Sequence, residues 1–192
     1  NKFKLLKDLT YSLEEYLLIS GYWNERIQYG KDAIFACEQV DDKETRAHFL
    51  TIVGGTLALK GEYAEAKKLL NQALVTAREI ESDSQSSRAL RTMSVTAYRE
   101  GDFEKAEGLI NGVAELALRS GDNLNYIDTL WVMGMLAFER KEFALSEEIF
   151  EKMIVKAKEI NWRRATAYAL EFLGKIQFEA RQYGSSINSL NR

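Results

Sequence analysis

Five short segments of this chain stand 40 residues apart: Gly21-Tyr22-Trp23, Gly61-Glu62-Tyr63, Gly101-Asp102-Phe103, Lys141-Glu142-Phe143 and Arg181-Gln182-Tyr183. A period of that length, kept without slippage, constrains the fold more than any single motif, because it marks stacked supersecondary units. Other columns keep step with it. Seven residues before each turn stand Glu14, Gly54, Ser94, Gly134 and Gly174, and five after it stand Arg26, Ala66, Ala106, Ser146 and Ser186, mostly small. Eleven before it are Thr10, Leu50, Leu90, Leu130 and Leu170.

Each unit reads as two helices. In the second, Leu50, Val53, Leu57 and Ala58 recur at helical spacing before Gly61, and Tyr63, Ala66, Leu70, Ala73, Leu74 and Ala77 do so after it. Glycine suits the turn because a helix C-terminus commonly needs a left-handed residue. Lys141 and Arg181 in that slot are expected to strain or reshape it. Between units, Asp41-Asp42-Lys43-Glu44, Ser82-Asp83-Ser84-Gln85, Gly121-Asp122-Asn123 and the neighbourhood of Asn161 supply N-cap residues. The absence of proline from all 192 residues agrees with helix nearly throughout. The small columns let the two helices of a unit approach closely. One such pair cannot hide its own apolar face, so neighbours must stack. The expected fold is all-α: a right-handed α-solenoid of helix-turn-helix repeats forming one array over residues 1–192. Its units lie near 3–40, 45–81, 85–120, 125–160 and 165–192, the last truncated within its second helix.

A small residue in the first helix, Gly-x-aromatic at the turn, then alanine and a large apolar residue: this order resembles the tetratricopeptide repeat. Gly54, Gly61, Tyr63, Ala66, Leu70 and Ala73 carry it best, followed by Gly101, Phe103, Ala106 and Ile110. The resemblance runs over essentially the whole chain. It departs in its period, where the common repeat has about 34 residues, and in lacking the proline after the second helix. Both departures suit a variant with longer second helices. HEAT and armadillo repeats share the period but not the turn signature. A second stretch, Gly21-Tyr22-Trp23-Asn24-Glu25-Arg26-Ile27 followed by Ala33, is similar to the repeat region of bacterial signalling NTPases of the STAND or NB-ARC type. There a nucleotide-binding switch domain precedes a helical sensor array. Together the resemblances imply a cytoplasmic segment of a larger bacterial protein.

Composition excludes several functions. With 26 basic and 29 acidic residues and a net charge of −3, the chain has no basic footprint for nucleic acid. No apolar run approaches the roughly 18 to 20 residues of a membrane-spanning helix. One cysteine builds neither an internal disulfide nor a thiolate metal site. One histidine removes most histidine-based catalytic constellations. No enzyme, cofactor or metal is expected.

Single features read the same way. His48 shares a polar column with Asp8, Arg88, Asp128 and Tyr168, and is expected on the concave surface or in solvent rather than as a catalytic base. Cys37 occupies the slot of Ala77, Ala117 and Ala157 and is expected to act as a small core residue. Val53-Gly54-Gly55-Thr56 and Lys60-Gly61 have the wrong order and spacing for a phosphate loop. Gly108 and Gly112 are expected to allow close packing or to weaken their helix. The acid pairs Glu14-Glu15 and Glu147-Glu148 read as solvated faces.

By the tetratricopeptide resemblance, a concave groove is lined by residues about thirteen, ten, nine, six, three and two before the turn. In unit three these include Arg88, Arg91, Tyr98 and Arg99; in unit four Trp131, Met135 and Phe138; in unit five Phe172, Lys175 and Phe178. Arginine and aromatic side chains are the usual material of interface hot spots. Arg91 and Trp131 share a column one unit apart and are expected to emerge as neighbours. The clamp for a chaperone's C-terminal carboxylate is not expected, because Thr51, Gly55, Thr92 and Asp128 stand where lysine and asparagine are required. The expected function is non-catalytic binding of a protein or peptide ligand in the groove. The alternative is a regulatory sensor for a small signalling ligand or short peptide, coupled to a separate NTPase or DNA-binding effector. Exposed array ends, with Phe3, Leu5 and Leu6 at one and Ile187 and Leu190 at the other, offer a route to homo-oligomers.

Overall fold

Left-handed residues stop the chain at 21, 41, 61, 81, 101, 121, 141 and 161, twenty residues apart. The computed structural model describes the backbone of residues 2–190 and the side chains of residues 2–179. Between those stops lie α1 (Lys2–Ile19), α2 (Trp23–Gln39), α3 (Lys43–Leu59), α4 (Tyr63–Glu79) and α5 (Asp83–Arg99). They continue as α6 (Phe103–Ile110), α7 (Val113–Arg119), α8 (Asn123–Glu139), α9 (Phe143–Glu159) and α10 (Arg163–Leu190). No strand occurs among the described residues. The fold is all-α, an array of helix-turn-helix repeats of the α-solenoid class.

One turn design serves within and between units. The N–H groups of Asp42, Glu62, Ser82, Asp102, Glu142 and Trp162 each donate to the carbonyl five residues back, at 2.8–3.0 Å. That bond is the signature of a helix ending on a left-handed residue. The next residue caps the following helix: Asp42, Ser82, Asp102 and Asp122 accept from the backbone N–H of Thr45, Gln85, Lys105 and Asn125. Lys141 takes the glycine slot at φ 62° without reshaping the turn, so the expected strain is borne rather than avoided. Lys141→Gly is expected to raise stability by about 1 kcal/mol, since a side chain in this region costs that order. Urea denaturation measures it, and an unchanged midpoint would contradict the strain.

The fifth unit departs from the sequence pattern. Helix α10 runs straight through Arg181-Gln182-Tyr183, where a turn was expected. A left-handed Arg181 would carry the Lys141 cost, whereas continuing the helix does not. Ser186, Ile187 and Leu190 lie outside the residues whose side chains are described. A second break was not foreseen: at Asn111-Gly112 the second helix of unit three splits into α6 and α7, with Gly112 at φ 79°. A Cβ on Gly108 or Gly112 would meet nothing within 4 Å. They therefore weaken the helix and do not serve close packing.

The chain divides into two compact units, residues 1–121 and 122–192. In the first, Ile27, Val53, Leu57, Ala58 and Ala66 form one buried cluster, and Leu50, Ala73, Leu74 and Ala89 another. In the second, Ile127, Leu130, Val132, Phe150, Met153, Ala165, Ala169 and Ile176 are buried. Within each pair the small columns meet. A Cβ on Gly54 would lie 2.8 Å from Leu70 Cγ, and one on Gly134 2.7 Å from Phe150 Cζ. Ser94 Oγ donates to the Ala106 carbonyl at 2.6 Å, and Ser146 Oγ to that of Gly134 at 2.8 Å.

Candidate functional site

Unit one replaces the small pair with Glu14 and Arg26, and a buried polar network results. Arg26 Nε donates to the Glu14 carbonyl at 2.9 Å, and its Nη1 pairs with Thr56 Oγ1. Burial lowers the Arg26 pKa, and attraction to Glu14 works against that. Glu14 Oε2 lies 2.7 Å from His48 Nε2, and Tyr11 and Phe49 flank the imidazole at 4.9 and 5.3 Å. His48 is 4% exposed. The expectation of a groove or surface histidine is therefore corrected: α1 lies over it, and it ties α1 to α3 as Arg26 ties α1 to α2. Glu14 is likewise part of this network and not a solvated acid.

Cys37 is fully buried against Ala33 and Phe49, and burial pushes its thiol up to about 11. It fills the alanine slot as expected. A chromogenic disulfide reagent at pH 8 should label Cys37 only after denaturant is added. Labelling of the native chain within minutes would refute this placement. Gly54 and Gly55 sit inside α3 and Gly61 in the turn after it, so no phosphate loop forms there. No cluster of three or more His, Cys, Asp or Glu could hold a metal among the described residues. No helix of the described residues is long and apolar enough to cross a membrane.

The expected groove residues fall into both compact units. In the first, α5 carries Arg88, Arg91 and Tyr98 half-buried and Arg99 exposed. The Tyr98 ring packs at 5.3 Å on Phe103, and the Arg99 carbonyl accepts from Tyr63 Oη at 3.4 Å. On α3 the corresponding columns are covered, with His48, Thr51 and Ala58 buried. A Cβ on Gly55 would come within 3.0 Å of Thr92 Cγ2, so α3 and α5 close on each other along columns assigned to the groove.

In the second compact unit, α8, α9 and α10 bring aromatics together. Phe150 stacks on Phe172 at 4.9 Å and 22°, Phe138 meets Phe172 edge-on at 5.9 Å, and Phe138 lies 5.7 Å from Phe143. Gly134 makes room for the Phe150 ring. Lys175 Nζ sits 4.5 Å from the Phe172 ring and 2.6 Å from Glu171 Oε1. Phe178, three residues beyond Lys175 on α10, is 61% exposed. Met135 is buried at 4% and belongs to the core rather than to a reachable surface. Trp131 is half-buried, its Nε1 covered and without a hydrogen bond. Phe143 and Phe150 were not picked out as site residues. The signal was present, since Phe150 stands in the large apolar column of Leu70 and Ile110. A separate shallow pocket of about 320 Å³ lies at the α9–α10 turn, lined by Lys158, Asn161, Trp162, Arg163 and Thr166.

No family model matches this chain, and neither does any curated protein. Solved structures do. A Rap protein complexed with Competence and Sporulation Factor matches with a TM-score of 0.78 at 16% identity over 99% of this chain. BtubC (BKLC) from P. vanneervenii matches at TM-score 0.64 and 13% identity over 94% of it. The chain spans 57% of the length of the Rap chain and 80% of BtubC. At such identities the likeness establishes the fold: that of a tetratricopeptide-like helical repeat.

Proposed function

We propose that this chain is a non-catalytic interaction module of the tetratricopeptide family, the sensor or scaffold segment of a larger protein, docking a protein or peptide segment on the inner faces of its first helices. The observation that carries this reading is the open side of the aromatic cluster. Phe178 is exposed, Phe172 half-covered, and Lys175 stands over the Phe172 ring. A large apolar anchor with an adjacent cation suits a segment carrying an acidic residue beside an apolar one. Arg88, Arg91 and Arg99 on α5 offer a second cationic stretch for the same kind of segment.

The test is selection of a displayed peptide library on the native chain. Enriched peptides should pair an acidic with a large apolar residue. Phe178→Ala combined with Phe172→Ala should weaken them by about 2 kcal/mol or more, in the hot-spot range. Lys175→Glu should mainly slow association. Binders indifferent to all three substitutions would remove the groove from the functional surface. The Rap protein was solved in complex with a named factor, which favours, as a second reading, a sensor of a short signalling ligand coupled to an effector domain.

A further inference from the structure

The break between α6 and α7 leaves one dipeptide outside both helices. Asn111 and Gly112 are exposed, while their neighbours Ile110 and Val113 are buried at 2% and 0%. Core side chains therefore clamp the chain on either side of a peptide bond that lies open to water. Asn111 stands at φ −59°, ψ 127° and Gly112 at φ 79°, ψ −11°. These are the central angles of a type II turn, whose second position calls for glycine. The Asn111 N–H still donates to the Glu107 carbonyl, and the Gly112 carbonyl accepts from the Leu116 N–H, both at 3.1 Å. The peptide group between them is unheld. Among the described residues, neither the Asn111 carbonyl nor the Gly112 N–H makes a backbone hydrogen bond, and the Asn111 side chain has no partner.

This arrangement has a chemical consequence. Joining the Gly112 nitrogen to Asn111 Cγ closes a five-membered imide. We propose that Asn111-Gly112 is a site of self-modification, where the native chain converts Asn111 to aspartate and isoaspartate through that cyclic imide. Hydroxide removes the Gly112 amide proton, and the electron pair of the nitrogen attacks Asn111 Cγ. The Cγ–Nδ2 bond breaks, and ammonia leaves with a proton taken from water. Water then opens the ring at either carbonyl. One opening restores the ordinary backbone with an aspartate side chain, and the other routes the backbone through Cβ as isoaspartate. Each event consumes one water and releases one ammonia, with no change of oxidation state.

Ring closure needs ψ of Asn111 to swing to negative values. No hydrogen bond resists that swing, and glycine accepts the φ that follows it. Other asparagines show the contrast. Asn71 lies within α4, where the helix fixes ψ and engages the next N–H. Asn161 is exposed at a turn, but the N–H of Trp162 after it donates to the Ala157 carbonyl at 2.8 Å. No second Asn-Gly pair occurs in the sequence. The extra backbone methylene of isoaspartate falls between two helices and interrupts neither, so the fold is kept.

Peptide mapping by mass spectrometry, on native chain incubated at mildly alkaline pH, tests this. It should find both an aspartyl and an isoaspartyl product at position 111, with circular dichroism unchanged on conversion. Amide loss at Asn71 and Asn161 should be slower by about tenfold or more. Gly112→Ala should slow the reaction about tenfold, because a Cβ restricts the φ that must move and crowds the attacking nitrogen. Asn111→Gln, which cannot form the five-membered ring, should leave the position unmodified over the same period. A synthetic peptide of residues 107–116 gives the rate without the fold. A native rate more than about tenfold below that of the peptide overturns the proposal, because the structure would then protect the site. An aspartyl product alone, a rate indifferent to Gly112→Ala, or loss of helix on conversion overturns it as well.

Discussion

Phe150→Ala is expected to destabilise the second compact unit by about 3–5 kcal/mol, the usual range for truncating a buried phenylalanine. Phe150 is wholly buried, lies on the bare backbone of Gly134 and stacks at 4.9 Å on Phe172. Removing it opens a cavity on three helices at once, because α8 supplies Gly134, α9 supplies Phe150 and α10 supplies Phe172. Little can collapse into the space, since the glycine has no side chain to offer. A folded unit has only about 5–15 kcal/mol in total, so the loss is a large share. Phe178→Ala is the control: at 61% exposure it should change stability by no more than about 0.5 kcal/mol. Urea denaturation followed by tryptophan fluorescence, with amide exchange across residues 123–179, measures both. A loss below about 1 kcal/mol for Phe150→Ala would mean that the aromatic cluster is not the core of this unit. The same measurement separates scaffold from binding surface. Phe150 should act on stability, and Phe178 on partner affinity alone.

The sequence was legible where side-chain size and backbone geometry recur together. Gly54, Ala66, Gly134 and Ser146 announced helix pairs because close approach admits little else, and the structure places each against its partner helix. Half of the turns were harder to see. Asp41, Glu81 and Asn161 adopt the left-handed conformation of the turn glycines without being glycine, so the turns between units showed in the sequence only through their polar cap residues. The break at Gly112 was invisible because a glycine in a helical pattern signals equally well a packing site, a weak point or a stop. Site residues were the least legible. Column position places a residue on a face, but whether that face is open depends on what covers it. His48 and Met135 are buried in columns that leave Tyr168 and Lys175 exposed. Residue type could not reveal that Glu14 on α1 would reach His48.

One column makes opposite predictions at two of its members, and this is the sharpest test of how the repeat is built. Gly134→Val should cost about 3 kcal/mol, whereas Gly174→Ala should stabilise by about 0.5–1 kcal/mol. Both glycines stand seven residues before the 40-residue mark, so column position alone predicts the same response. The structure separates them. A Cβ on Gly134 would sit 2.7–2.9 Å from three ring atoms of Phe150. That ring is buried and already stacked on Phe172, so it cannot swing away without moving α10. Valine adds two further methyl groups to the same space. At Gly174 the ideal Cβ meets nothing within 4 Å. Helix α10 continues past Arg181 instead of turning, so among the described residues no second helix covers this small residue. There an added methyl group only removes the conformational freedom of glycine from the unfolded chain. Thermal and urea denaturation of the two single variants decide the matter. If Gly174→Ala destabilises as Gly134→Val does, the chain after Arg181 folds back on α10 as the fifth repeat of the sequence pattern, and the continuous helix is wrong.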